Sequence, residues 1–208
     1  MLFATFVPNF SSRMNLSEKS QSKESVSYNG LTFVPYIENS RIKSRVAELG
    51  EQITEEYKGR TPLVICVLNG AFPFAAELFQ NLDIDAEINF IRLSSYQGTT
   101  STGIIRKILG LNAEEIKDRD IIVVEDIVDT GHTIVNLLKD LKNMQPASVK
   151  VATLLFKPEA LVEKFTPDYV GFSIPKKFII GYGLDLDGLA RNLKDIWVLD
   201  SENPNNAD

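Results

Sequence analysis

The chain has 208 residues, a usual length for one globular domain and enough to bury a sizeable core. Its 44% hydrophobic and 24% charged residues are ordinary for a globular fold. The net charge of −6 disfavours nucleic acid as a main partner. No apolar run approaches the roughly twenty residues that span a bilayer, so we expect no membrane partner either.

Cysteine and histidine each occur once, as Cys66 and His132. A single cysteine excludes an internal disulfide and favours a reducing compartment, so we expect a cytoplasmic protein. Because Cys66 lies within an apolar run, we expect it to be a small buried hydrophobe. A single histidine excludes a histidine-cluster metal site and disfavours a histidine-based triad.

The first 27 residues differ in composition from the rest of the chain. An apolar start at residues 1–10 lacks the flanks of a signal peptide, and residues 11–27 are rich in Ser, Lys and Glu. We expect residues 1–27 to be a poorly ordered extension before a single domain at 28–208.

Three elements are predicted next. An apolar helical stripe covers residues 42–57, and Asn39 or Ser40 can cap its start. Residues 63–68 are wholly apolar, as in a strand buried on both faces, and a helix follows that ends near Gln80. This strand, turn and helix unit should open onto a crevice at the carboxyl edge of a sheet.

A strand is predicted at residues 86–93, from alternating apolar positions. The ten residues that follow, 94–103, are polar, contain two glycines and have no hydrophobic period. Such a loop is either simply solvated or a lid over a site.

The most informative stretch is a strand, an acidic loop and a helix. Residues 121–124 are apolar and β-branched, and an apolar stripe at helical spacing starts after Thr133. Between them lie three carboxylates, Glu125, Asp126 and Asp129. Like charges this close need a cation or hydroxyl donors. We place them in the loop, just past the strand.

The end of this loop indicates a phosphate site. Asp129-Thr-Gly-His-Thr133 leads into the helix, so its amides and two threonine hydroxyls converge at a helix start, which favours an anion. Gly131 lets the backbone approach that anion closely. A metal and diol site beside a phosphate site would suit a ribose 5-phosphate. The alternative is a polar loop that only caps the helix.

Residues 123–133, Val-Val-Glu-Asp-Ile-Val-Asp-Thr-Gly-His-Thr, resemble the phosphoribosyl-diphosphate (PRPP) motif of type I phosphoribosyltransferases. The resemblance implies an α/β fold, with a central, mostly parallel twisted sheet flanked by helices and a small purine-binding hood. The core would cover about 38–165. The hood would cover mainly 166–200, with a strand at about 31–36.

The resemblance also implies ligands for each part of PRPP. Residues 129–133 would hold the 5′-phosphate, namely Asp129, Thr130, Gly131, His132 and Thr133. Glu125 and Asp126 would lie by the ribose. The turn Leu68, Asn69 and Gly70 would bind the diphosphate with Arg191, and Asn69 stands where the family often has lysine. Ser95 and Tyr96 match the family's lid. Alone, the turn could be a plain connection.

The purine site is implied by a second match, over residues 167–193. Lys157, directly after a predicted strand at 149–156, would donate to the exocyclic oxygen of a 6-oxopurine. Phe178 would stack on the base, and backbone groups of Ile179 and Asp185 would read its edge. Taken singly, Lys157 could be a surface charge, Phe178 a core residue and Asp185 part of a turn.

The implied reaction transfers the phosphoribosyl group from PRPP to hypoxanthine or guanine, with Asp129 as general acid and base. Mg²⁺ would be held near Glu125, Asp126 and Asp185. The resemblance also implies a homodimer or homotetramer. Rival hypotheses are a xanthine or adenine phosphoribosyltransferase, and a regulatory protein of the same fold that binds nucleic acid. Asp129-Thr-Gly131 also occurs in aspartic proteases, but that fold is all-β and a long amphipathic helix follows here.

Overall fold

The computed structural model describes residues 25–93 and 111–203. Its strands are β1 (Val26–Tyr28), β2 (Leu31–Ile37), β3 (Leu63–Leu68), β4 (Glu87–Arg92), β5 (Asp120–Val128), β6 (Ser148–Phe156), β7 (Tyr169–Ser173), β8 (Ile179–Ile180) and β9 (Ile196–Leu199). Its helices are α1 (Asn39–Glu56), α2 (Phe72–Gln80), α3 (Ala113–Ile116) and α4 (His132–Asn143), with a 3₁₀ turn at Pro158–Ala160.

Five strands form a parallel sheet in the order β4, β3, β5, β6, β7. Alternate residues of the central strands pack on opposite faces, as the strand period requires. One face carries Val64, Cys66, Ile122 and Val124 with α1 and α2, and the other carries Ile65, Ile121 and Val123 with α4. The predicted α/β fold with a mostly parallel sheet is confirmed.

β3 and β5 lie side by side, but β4 continues the sheet beyond β3 whereas β6 continues it beyond β5. The strand order therefore reverses between β3 and β5. Open α/β sheets bind their ligands outside the carboxyl ends of the strands at such a reversal. The turn after β3 and the acidic end of β5 meet there.

A smaller antiparallel sheet, in the order β1, β2, β9, β8, occupies the position expected of the hood. Its own core contains Phe33, Ile180, Ala190 and Trp197. Strand β7, which the predicted hood included, pairs with β6 in the large sheet instead. Of the extension expected at residues 1–27, Val26 and Ser27 are instead part of β1.

Two element boundaries differ from those predicted. β5 continues through Glu125 and Asp126, because its pairing with β6 extends to Val128 opposite Phe156, so these two acids belong to the strand and not to the loop. Helix α1 begins at Asn39, after Glu38, and the Asn39 N–H donates to Asp195 Oδ1 at 2.8 Å. Asp195, from near the other end of the sequence, thus caps the helix start in place of Asn39 or Ser40.

Several predictions fall outside the described residues. These are the lid with Ser95 and Tyr96, the rest of the loop at 94–103, and the first 24 residues of the expected extension. Among the described residues, no helix has both the length and the apolar character needed to cross a membrane.

Candidate active site

The turn after β3 presses directly against β5. The peptide bond between Leu68 and Asn69 is cis. A Cβ added to Gly70 would lie 1.6 Å from Asp126 Oδ2, far inside contact distance. Only glycine therefore fits at position 70 while Asp126 keeps its place, and the predicted diphosphate turn and ribose acid are neighbours.

The carboxyl groups of Glu125 and Asp126 lie where their charged forms are disfavoured. Burial, and then the charge of Asp126, raise the pKa of Glu125 well above its usual value, and Glu125 Oε2 is buried without a hydrogen-bond partner. Burial raises the pKa of Asp126 to about 6, although the Ile127 N–H donates to Asp126 Oδ1 at 2.8 Å. Glu125 Oε2 has no donor to stabilise a charged form, and the backbone donors and the positive charge of Arg191 only partly offset the burial of Asp126.

A cavity of about 240 Å³ lies over the carboxyl end of β5 and the start of α4. It is lined by Glu125, Asp126, Ile127, Val128, Asp129, Thr130, Gly131, Thr133 and Ile134. Gly131 precedes α4 with φ 84°, a left-handed conformation that favours glycine. The predicted phosphate loop and ribose acids thus border one cavity. The His132 imidazole is directed elsewhere, to Glu163.

Lys157 and Asp129 form an ion pair, with 2.8 Å between Lys157 Nζ and Asp129 Oδ2. Lys157 is buried and follows β6, whereas Asp129 follows β5. The Lys157 N–H also donates to the Val128 carbonyl at 3.0 Å. The two residues predicted to act on the purine are therefore in direct contact, at the edge of the phosphate cavity.

Asp185 and Arg191 form a second pair, with 2.6 Å between Arg191 Nη2 and Asp185 Oδ1. Arg191 Nη1 donates to the Gly183 carbonyl at 2.7 Å. A Cβ added to Gly183 would lie 2.0 Å from the Gly70 carbonyl oxygen. The loop that carries the predicted base-reading and diphosphate residues therefore packs on the turn after β3.

The predicted purine platform lies at the edge of the smaller sheet. Phe178 is 45% exposed, and its ring lies 6.0 Å from that of Phe33 at a 45° tilt. The Leu199 N–H donates to the Phe178 carbonyl at 2.9 Å. Because successive residues of an antiparallel strand direct their polar groups to opposite sides, the N–H and C=O of Ile179 point to the outer edge of the sheet.

A larger cavity of about 500 Å³ is bordered by the loop that carries Gly183 and Arg191. Its lining includes Asn69 and Arg191, both predicted diphosphate ligands, and the two lysines Lys43 and Lys194. The remaining lining residues are Asn39, Phe72, Pro73, Tyr182, Gly183, Asn192 and Leu193. The cavity therefore combines a mainly apolar lining with three basic side chains that can contact phosphate groups.

Within residues 25–93 and 111–203, no three His, Cys, Asp or Glu side chains converge on a point that could hold a metal ion. The predicted ligands Glu125, Asp126 and Asp185 do not by themselves enclose one. Mg²⁺ does not require such a cluster, because proteins usually bind it through one or two carboxylates together with substrate phosphates and water. The carboxyl of Asp126, which borders the cavity and whose pKa is raised by burial, fits such a cation.

Two contributors to the site were missed in the sequence. Gly183 gave no signal, because its role depends on a close approach to Gly70. Glu163 contacts His132 Nδ1 at 2.8 Å and follows Lys157 by six positions in an ordinary polar stretch. Both roles depend on contacts between loops that are far apart in the sequence, so only the folded structure shows them.

The chain matches the model of the phosphoribosyl transferase domain over residues 36–187. It belongs to the phosphoribosyltransferase family, and is an enzyme that transfers a phosphoribosyl group. A relative, the hypoxanthine-guanine phosphoribosyltransferase of Lactococcus lactis subsp. lactis, is 44% identical over 167 residues, which are 80% of this chain and 90% of that protein. This match confirms the resemblance drawn from residues 123–133.

Solved structures agree with this assignment. A hypoxanthine-guanine phosphoribosyltransferase of Bacillus anthracis is 37% identical with a TM-score of 0.71, over 80% of this chain and 96% of that one. A variant of the hypoxanthine phosphoribosyltransferase of Trypanosoma cruzi, complexed with the product IMP, is 33% identical with a TM-score of 0.74, over 85% and 94% of the two chains.

Proposed function

We propose that the enzyme transfers the 5-phosphoribosyl group of PRPP to a 6-oxopurine, hypoxanthine or guanine, in a Mg²⁺-dependent step of purine salvage. The products are the nucleoside 5′-monophosphate and diphosphate. The observation that carries this proposal is the Lys157–Asp129 pair beside the phosphate cavity. The names of the relatives support the same substrates.

The phosphate cavity suits the ribose 5-phosphate end of PRPP. Amides at the start of α4 and the hydroxyls of Thr130 and Thr133 offer donors to the 5′-phosphate, and the helix dipole favours its charge. Glu125 and Asp126 border the same cavity, where they can accept hydrogen bonds from the ribose hydroxyls.

Mg²⁺ would be held by substrate oxygens together with Glu125, Asp126 and, at a second position, Asp185. When bound, it neutralises charge on the departing diphosphate and lowers the barrier to its release. Asp126 and the Gly70 turn are in contact, so the acid that approaches the ribose is held against the turn that approaches the diphosphate.

The diphosphate would lie between the turn at residues 68–70 and Arg191. Asn69 supplies no charge where the family often has lysine. Lys43 and Lys194 line the same cavity as Asn69 and Arg191, and they bring positive charge to that side of the turn. The planar guanidinium of Arg191 suits phosphate oxygens once it leaves Asp185.

The Lys157–Asp129 pair matches one edge of a 6-oxopurine. Hypoxanthine and guanine carry an acceptor at O6 next to N7 on the same edge. Lys157 can donate to O6 while Asp129, one hydrogen-bond length away, reaches N7. Adenine has an amine in place of O6, which a lysine cation does not recognise. Phe178 and the outward-facing backbone of Ile179 would hold the ring and its far edge.

The chemical step joins purine N9 to C1 of the ribose as the bond from C1 to diphosphate breaks. Asp129 accepts the proton that N7 loses in the forward direction and returns it in reverse. The residues around the cavity act mainly by positioning and by placing charge near a carbocation-like ribose. By resemblance to the family, Ser95 and Tyr96, which lie outside the described residues, would act as a lid that excludes water. We also expect a homodimer or homotetramer in the cytoplasm, as is usual in this family.

The test is to measure diphosphate release from PRPP with hypoxanthine, guanine, xanthine and adenine in turn, with and without Mg²⁺. The proposal predicts turnover with hypoxanthine and guanine that requires Mg²⁺. Turnover with adenine alone would contradict the base assignment. No turnover with any base would contradict the transfer reaction itself.

A variant sharpens the assignment of the base. Lys157→Gln should lose roughly 10- to 100-fold in kcat/KM for hypoxanthine, as expected for the loss of a charged hydrogen bond, and gain on adenine. Lys164→Gln, which removes an exposed lysine seven positions later, is the control and should leave both bases unchanged. Unchanged base preference in Lys157→Gln would refute the role of Lys157.

A further inference from the structure

We propose that the segment Leu161–Glu163 is a positioning element for the 5′-phosphate site, and that Glu163 fixes it through His132. Neither Glu163 nor this segment belongs to the cavity lining described above. The inference rests on the proposed function, because it assigns a task at the phosphate site of that reaction. It follows from contacts between two loops that are about thirty positions apart in the sequence.

The first observation concerns the Thr130 carbonyl, which accepts two hydrogen bonds from this segment. The Val162 N–H donates to it at 3.0 Å and the Glu163 N–H at 3.3 Å. In a trans peptide, the C=O and the next N–H point in opposite directions. Holding the Thr130 carbonyl toward residues 162–163 therefore turns the Gly131 N–H away from them, which orients it for an anion on the opposite side of the loop.

The second observation is that the segment touches Gly131 itself. A Cβ added at position 131 would lie 2.9 Å from Leu161 Cδ1 and 3.2 Å from Glu163 Cβ. The loop thus lies directly on the segment, without space for a side chain. Because Gly131 also has φ 84°, its conformation is one that few other residues adopt. The segment supports this conformation from one side.

The third observation is a side-chain contact that closes the arrangement. His132 Nδ1 lies 2.8 Å from Glu163 Oε1, and His132 is the first residue of α4. The imidazole Nδ1–H donates to the carboxylate, which ties the start of the helix to the segment that holds Thr130. The contact places a negative charge near a phosphate site, where charge alone would weaken binding. If Glu163 favours phosphate binding, it must therefore do so by fixing the position of the loop.

This contrast allows charge and position to be separated. Glu163→Gln keeps an oxygen that accepts from His132 but removes the charge, whereas Glu163→Ala removes both. If Glu163 acts by position, Glu163→Gln should behave like the original enzyme and Glu163→Ala should not. If Glu163 acts only by its charge, both variants should bind phosphate more tightly. Glu159→Ala, an exposed acid in the same stretch, is the matched control.

The measurement is calorimetric titration with ribose 5-phosphate, which has the 5′-phosphate but no diphosphate, and separately with Mg²⁺ and diphosphate. Glu163→Ala should weaken ribose 5-phosphate about tenfold, the effect of one lost charged hydrogen bond, and leave diphosphate unchanged. Glu163→Gln and Glu159→Ala should stay within about twofold on both ligands. Unchanged diphosphate binding also shows that the variant is folded.

A spectroscopic readout tests the amide directly. The backbone ¹⁵N–¹H signal of Gly131 should shift when ribose 5-phosphate binds, and the shift should be smaller in Glu163→Ala at saturation. Equal affinities in Glu163→Ala and the original enzyme, or parallel changes in Glu163→Ala and Glu163→Gln, would overturn the inference and leave the reaction intact. No binding of ribose 5-phosphate by the original enzyme would overturn the proposed function as well.

Discussion

Asp126 shows how a single residue can be unfavourable in the free protein and suited to a ligand. Its carboxyl is largely buried against Gly70 and next to Glu125, and burial raises its pKa to about 6 from an ordinary 3.8. A carboxylate in such a position gains most from a cation or hydroxyl that arrives with the substrate. We therefore expect substrate binding to stabilise the charged form of the Asp126 carboxyl.

The first prediction is a pH dependence from Asp126. Below pH 6 its carboxyl is protonated and a poor partner for a cation, so the affinity for Mg²⁺ and PRPP should rise as the pH increases through about 6. Glu125, whose pKa is also raised, should extend this rise to higher pH. In Asp126→Asn, affinity should be low and the step smaller, leaving only the titration of the ligand's own phosphates near pH 6. An unchanged step in that variant, measured calorimetrically from pH 5 to 8, would contradict the assignment.

The same pKa shift has the opposite sign for the stability of the ligand-free protein. Because the folded state binds the Asp126 proton more tightly than the unfolded state, the free energy of unfolding should fall as the pH rises from about 4 to 6. Above pH 6 the penalty should be complete, on the order of 1 to 3 kcal/mol. Asp126→Asn should therefore raise the stability of the free protein at pH 7.5 while it weakens substrate binding.

Asp129 carries the next prediction. Asp129→Asn keeps the size of the side chain but removes the proton acceptor, so kcat should fall by roughly 10²- to 10⁴-fold. The Kd for PRPP should change by only a few-fold, because the threonine hydroxyls and loop amides remain. Asp140→Asn, on α4, is the control. Equal turnover in Asp129→Asn would remove this residue from the proton path.

The grouping of residues 125–133 around one cavity was predictable from the motif. The residues between 123 and 133 point to a sugar phosphate by their types and spacing alone. The ion pair between Asp129 and Lys157 was not predictable, because it depends on β5 and β6 ending side by side. Glu163 was missed for the same reason. Neither contact leaves a periodic trace in the sequence.

Elements bounded by strong local signals were predicted with their observed limits. β3 covers residues 63–68 as expected, since an apolar β-branched run ends there at a turn. The predicted end of β5 was wrong. Two consecutive acids are typical of a loop, but here the pairing of β5 with β6 continues through them. The cap of α1 was also wrong, since Asp195 lies more than 150 positions from Asn39 and no local pattern connects them.

At the scale of elements, the turn after β3 depends on its fit against β5. Gly70→Ala would place a methyl group at 1.6 Å from Asp126 Oδ2, so the carboxylate or the turn must move. We expect the KM for PRPP to rise at least about tenfold and the free energy of unfolding to fall by roughly 1 to 3 kcal/mol, as for other overpacked sites. Steady-state kinetics and urea denaturation measure the two effects.

A double-mutant cycle identifies the partner of Gly70. In an Asp126→Ala background the clashing carboxylate is absent, so Gly70→Ala should lose much less stability than it does alone. The difference between the two backgrounds is the coupling between the turn and the strand. Additive effects would show that the contact between Gly70 and Asp126 does not hold the turn in place.

For the whole molecule, local charge matters more than total charge. The net charge of −6 would repel a polyanion approaching at random, yet Arg191, Lys43 and Lys194 line one cavity and the start of α4 faces the other. A small anion carrying its own Mg²⁺ can use such sites, whereas a long nucleic acid would need a basic face. A polyanion-binding assay should therefore show no affinity at physiological salt.

The general architecture was accessible from the sequence, because buried parallel strands and amphipathic helices leave clear periods. The smaller sheet was located by resemblance. Which strands form it depends on pairing between distant parts of the chain, as in Val34 opposite Val198. The expected hood range of 166–200 includes β7, which pairs with β6 in the large sheet, and no local pattern in these five residues indicates that pairing. Long-range pairing is the part that local patterns do not specify.

The central claim is that the helix start and the acids of β5 together bind a sugar phosphate with its cation. Calorimetric titration of the folded protein with PRPP tests it most directly, with and without Mg²⁺. We predict a saturable heat with one PRPP per chain, and a Kd that Mg²⁺ lowers at least about tenfold by neutralising charge between ligand and carboxylates. No heat from a folded protein at millimolar PRPP and Mg²⁺ would contradict the claim.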